Sequence, residues 1–128
     1  MISIEVSTRG GDGLAVAVLR GELDVAEAAN AAAALVVVAS GHDTIVDLEA
    51  LEFIDSSGLA ALVRARHQAR RAGFDLLLAA PQQQVRRMLA ITRLLDVFVV
   101  HACVEEAAGA AGRIPAAIAP AGSPALLP

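Results

Sequence analysis

The stretch Asp47-Leu-Glu-Ala-Leu-Glu-Phe-Ile-Asp-Ser-Ser-Gly-Leu59 decides how this chain folds. A strand-like apolar run ends in Asp55, two hydroxyl residues and Gly58, and a helical pattern begins at once. From Ser56 to Arg71, Leu59, Leu62, Val63 and Ala69 form an apolar stripe, with Arg64, His67, Gln68 and Arg71 opposite. Gly73 stands where a glycine ends a helix. This order puts Ser56 or Ser57 at a helix N-terminus. Backbone N–H groups and the positive end of the helix dipole favour added negative charge there.

Upstream, Thr44–Leu48 reads as a short buried strand leading towards Asp55. Val25 to about Ala39 is a helix written almost wholly in alanine and valine, with Asp24 as its cap. It has so few polar residues that its outer side is either covered or offers an apolar surface. Ile2–Ser7 alternates as a half-buried strand does, and Leu14–Arg20 resumes after the turn cluster Gly10-Gly11-Asp12-Gly13. The two form a hairpin closed by Gly21-Glu22-Leu23-Asp24.

Downstream, Phe74–Ala80 is an apolar strand bounded by Pro81, and Gln82–Thr92 a helix with Val85, Met88, Leu89 and Thr92 on one side. Val97–Val100 is a last strand and Val104–Ala111 a short helix. Strands alternating with helices predict one α/β domain over 1–111. From Arg113 on, four of the chain's 5 prolines and many alanines predict a disordered tail over 112–128.

Bulk composition narrows the function. A chain of 128 residues suits one core, and the absence of Trp and Tyr makes that core aliphatic. The net charge of −4 and the lack of aromatics among the arginines argue against nucleic-acid binding. The single cysteine, Cys103, excludes an internal disulfide and is expected to be a small buried hydrophobe. His42, His67 and His101 lack metal-ligand spacing and are expected at the surface, so no metal or cofactor is expected. The apolar window Ala26–Ala39 is too short to span a bilayer, and no signal peptide is visible. A cytoplasmic protein without membrane insertion follows. Gly10–Gly13 lacks the helix and lysine of a phosphate loop.

Asp55-Ser56-Ser57-Gly58 supports two readings. In one, Asp and Ser cap the helix and Gly58 lets it pack closely on the sheet. In the other, a serine there carries a phosphate without disturbing the fold.

Asp55-Ser56-Ser57-Gly58-Leu59 after an apolar strand, with Gly21-Glu22-Leu23-Asp24 upstream, resembles a STAS domain of the anti-sigma-factor antagonist type. The likeness runs from about Ile2 to about Ala111. It implies a mixed sheet of about five strands with about four helices packed mainly on one face. It also implies that Ser56 is the phosphorylated residue. Asp24, Asp55, Ser57, Gly58 and Leu59 would form the phosphosite and partner surface. By that resemblance the unphosphorylated protein binds an anti-sigma factor with serine kinase activity and releases a sigma factor. Phosphorylation ends the contact and a phosphoserine phosphatase restores it, so the protein is a substrate and binding module, not an enzyme. The alternative is a constitutive STAS subunit of a larger transport or sensory assembly, with Ser56 only a helix cap. Such domains often carry glycine where Arg93 stands, so the turn after the third helix is expected to differ here.

Overall fold

The computed structural model describes residues 1–9 and 13–111; most of the Gly10–Gly13 turn and the tail over 112–128 lie outside them. Strands β1 (Ile2–Arg9) and β2 (Leu14–Leu23) pair antiparallel from Ile2 opposite Gly21 to Arg9 opposite Leu14, as a hairpin requires. Helix α1 (Val25–Ala39) follows, then strands β3 (Asp43–Asp47) and β4 (Leu51–Ile54) and helix α2 (Ser56–Arg71). Strand β5 (Leu76–Ala79), helix α3 (Gln83–Ile91), strand β6 (Val100–His101) and helix α4 (Val104–Ala111) complete the order.

Among the described residues the sheet has six strands, five of them in the order β1-β2-β3-β5-β6, and it is mixed because only the hairpin is antiparallel. The sixth strand, β4, comes from a split. The sequence reads as one run into Asp55, whereas β3 pairs with Leu14–Val18 and β4 with Gly21–Leu23, farther along the same strand. An Asx turn makes the break: the Asp47 carboxylate accepts from Glu49 N–H at 3.0 Å, and Leu51 N–H donates to Leu48 carbonyl at 3.1 Å. On β2 the register shifts at Gly21, whose φ of 102° and contact with the Met1 carbonyl leave no room for a side chain.

Strand alternation sends Ala17, Leu19, Val46, Leu76 and Leu78 to one face, where Leu35, Leu62, Val85 and Leu89 of the first three helices cover them. Leu14, Ile45, Leu77 and Ala79 face the other way, under Ala107 and Ala111 of α4. The expected one-sided covering is thus three helices against one. Helix α1 buries Ala31, Ala32, Leu35 and Ala39, while Val25 and Val37 stand 74% and 77% exposed. Its outer side is an apolar surface.

The last strand differs from the expected Val97–Val100. A 3₁₀ turn at Leu94–Asp96 and the buried Phe98 pull the chain inward, and only Val100–His101 pair with β5. Arg93 takes the left-handed conformation itself, at φ 64°. Arginine thus holds there a conformation that costs roughly 1–2 kcal/mol for a side-chain-bearing residue.

Candidate functional site

Helices α1 and α2 begin in the same way. Parallel strands β2 and β4 end at Leu23 and Ile54, opposite each other, and an aspartate follows each. Asp24 (φ −116°, ψ −172°) and Asp55 (φ −114°, ψ −173°) are both extended N-caps. The Asp24 carboxylate accepts from Ala26 N–H at 3.1 Å, and that of Asp55 from Gly58 N–H at 3.0 Å. Asp55 N–H donates to the Leu23 carbonyl at 3.3 Å, so the two starts are tied together. Two helix N-termini therefore stand side by side, each with a carboxylate in place.

Ser56 is the first helical residue of α2 and is exposed; among the described residues its hydroxyl makes no hydrogen bond. Ser57 is half-buried, and Gly58 and Leu59 are buried. Gly58 sits against β2: a Cβ there would touch the Leu23 carbonyl and come within 2.7 Å of Ile54 Cγ1. This close approach seats the start of α2 on the end of β2 and sets the position of Ser56 relative to Asp24. The site is thus a free hydroxyl beside two capping carboxylates, neither of them bonded to it.

The residue that composition could not reveal is Gln84. Its Oε1 accepts from Ile54 N–H at 3.1 Å and its Nε2 donates to Ile54 carbonyl at 3.2 Å, as a neighbouring strand would. Gln82 Nε2 donates to Glu49 carbonyl at 2.6 Å. The start of α3 therefore clamps the outer edge of β4 just before Asp55. A run of three glutamines was the only signal, and polar helix-start residues are too common to single out.

An open, mainly apolar groove of about 520 Å³ leads from Ser56 along α2, between Leu59 and Val63 on one side and Leu94 after α3 on the other. A second, smaller groove between α1 and α2 is lined by Val25, Ala29, Ser57, Ala60 and Arg64. Ser56 and Ser57 each open onto one of them.

Two expectations fail at the far end of the molecule. Cys103 is exposed, not buried, because it precedes α4 as its cap, with Sγ accepting from Glu106 N–H at 3.4 Å. His101 is half-buried: its side chain is only 16% exposed and, among the described residues, its buried Nε2 has no partner, while Nδ1 lies 3.3 Å from Glu106 Oε1. The Ala102 N–H, and then His101, hold the Glu106 carboxyl below its ordinary value. Among the described residues no three His, Cys, Asp or Glu side chains are grouped to hold a metal ion, and no helix is long and apolar enough to cross a membrane.

This architecture recurs in solved structures. An anti-sigma factor antagonist from Mycobacterium paratuberculosis is 26% identical, with a TM-score of 0.77 over 87% of this chain and 94% of its own. The Bacillus cell fate determinant SpoIIAA in its phosphorylated form is 21% identical, with a TM-score of 0.64 over 84% of this chain and 98% of its own. A sulfate transporter family protein from Wolinella succinogenes is 17% identical, with a TM-score of 0.69 over 82% and 88%. The STAS domain family model matches residues 4–107, which takes in nearly all of the hairpin, both capped helix starts, the glutamine clamp and the first half of α4. With fold and sequence in agreement over nearly all the described residues, this chain belongs to the STAS domain family.

Proposed function

We propose that the protein is an anti-sigma-factor antagonist whose partner contact is switched by phosphorylation of Ser56. The observation that carries this reading is the exposed, unbonded Ser56 hydroxyl at the start of α2, beside the capping carboxylates of Asp24 and Asp55. A phosphate adds about −1.5 to −2 charge at pH 7. At a helix N-terminus that charge meets unpaired N–H groups and the positive dipole end, so the fold tolerates it. Beside two carboxylates the same charge makes the surface strongly anionic. A partner that placed acidic or apolar groups there then leaves.

The unphosphorylated form binds an anti-sigma factor that is also a serine kinase, and so frees a sigma factor. The kinase brings nucleotide and catalytic groups, and a phosphatase reverses the step. The protein works in the cytoplasm as substrate and binding module and turns nothing over itself. Support comes from the similarity to the Mycobacterium antagonist and from the phosphorylated state of SpoIIAA. The fold's occurrence in a sulfate transporter family protein favours a second reading, a constitutive subunit with Ser56 only a helix residue.

Pull-downs from native lysate with wild type, Ser56→Ala and Ser56→Asp as baits separate the two. Ser56→Ala is expected to retain a kinase-type partner and Ser56→Asp to lose it. Equal retention by all three would refute the switch.

A further inference from the structure

We infer that the groove between α2 and the corner after α3 docks an amphipathic helix of a partner protein, one whose apolar stripe is flanked by acidic residues. The groove is lined by Leu59, Ala60, Val63 and Leu94, an apolar floor suited to side chains spaced at i, i+3, i+4 and i+7 along a helix. No lining residue is acidic, although the chain as a whole carries −4. Arg64 and His67 border it from α2, and both are exposed. Among the described residues Arg64 forms no ion pair, unlike Arg20 with Glu5 and Arg70 with Asp75. An apolar trough bordered by an unpaired cation is complementary to an apolar stripe edged with carboxylates.

Ser56 lines the same groove at its start. On the switch reading proposed above, a phosphate there places like charge beside the acidic flank and opposes docking.

The test uses the full-length unphosphorylated chain and two synthetic amphipathic helices with the same leucine stripe, one flanked by glutamates and one by lysines. Binding is followed by NMR shifts of the protein and by titration at low and high salt. The glutamate-flanked helix is expected to bind, to shift Leu59, Val63 and Leu94, and to weaken with salt. Arg64→Glu should weaken it by about tenfold, as loss of an interfacial charge pair does. Equal binding of the lysine-flanked helix, shifts confined to α1 or to a contact between two copies, or no binding of either helix would overturn the inference. None of these outcomes depends on whether Ser56 is ever phosphorylated, so the groove and the switch can fail separately.

Discussion

Helices α1 and α2 start from adjacent parallel strands, through the same aspartate cap at nearly the same backbone angles, yet the residues after the cap diverge. After Asp24 come Val25, Ala26 and Glu27; after Asp55 come Ser56, Ser57 and Gly58. The cap itself is therefore generic. What makes the second start a candidate switch is a free hydroxyl at the first helical position and a glycine two residues later. The strands feeding them are also held differently. β2 lies between β1 on one side and β3 and β4 on the other, whereas among the described residues β4 pairs only with β2 and has a glutamine side chain on its outer edge. One helix start is built into the sheet, and the other is fastened from α3.

The largest effect should come from the glycine that separates the two starts. Gly58→Ala would improve intrinsic helix propensity by about 1 kcal/mol. It would also drive a methyl into the Leu23 carbonyl and to 2.7 Å from Ile54 Cγ1. Overpacking of a tight contact costs roughly 1–3 kcal/mol, and more where backbone is the obstacle. Backbone is the obstacle here, so the clash outweighs the gain, and we expect Gly58→Ala to lose about 2 kcal/mol in urea unfolding. Glu27, at the matching position of α1, is half-buried, and Glu27→Ala should change stability by about 0.5 kcal/mol or less. Equal effects would mean that the second start is no more tightly seated than the first.

A smaller effect tests the fastening. Gln84→Ala leaves Ile54 N–H and C=O without their partner at a half-buried edge. Each lost hydrogen bond is worth about 0.5–1.5 kcal/mol, so a loss of roughly 1–2 kcal/mol is expected once water partly replaces the amide. Amide exchange locates the damage. Protection should fall at Ile54 and the first turn of α2, and stay unchanged at Leu23 and α1. A uniform loss of protection would show that the clamp serves the whole core and not this start.

Much of this architecture was legible because the chain writes it in local signals. Asp24 and Asp55 before apolar periodic runs place both helix starts, and the limits of α1 and α2 follow from them. The split of β3 from β4 was hidden. Its turn uses neither glycine nor proline, only the Asp47 side chain on the backbone of Glu49. The end of the domain misled for another reason. Cys103 caps α4 through Sγ, and His101 tucks beneath Glu106, both set by tertiary packing that a cysteine or histidine count does not report. Ser56 was legible as a helix-start hydroxyl. The groove it opens onto was not, because Val63 and Leu94 lie 31 residues apart and meet only when α3 turns back.

The smallest effect is the most discriminating. Ser56→Asp and Val25→Asp place a carboxylate at the first residue of each helix. The dipole favours it by about 0.3–1 kcal/mol at low salt, while the neighbouring caps Asp24 and Asp55 repel it by a similar amount. Both variants should therefore unfold within about 0.5 kcal/mol of wild type in dilute solution. Function should not follow stability. If Ser56→Asp alone releases the kinase-type partner, the contact reads charge at the mouth of the α2 groove. Release by both variants would instead mean that the partner senses the paired helix starts as one electrostatic surface. In that case Ser56 would owe its role to being the position where a hydroxyl can accept phosphate, since Val25 has none.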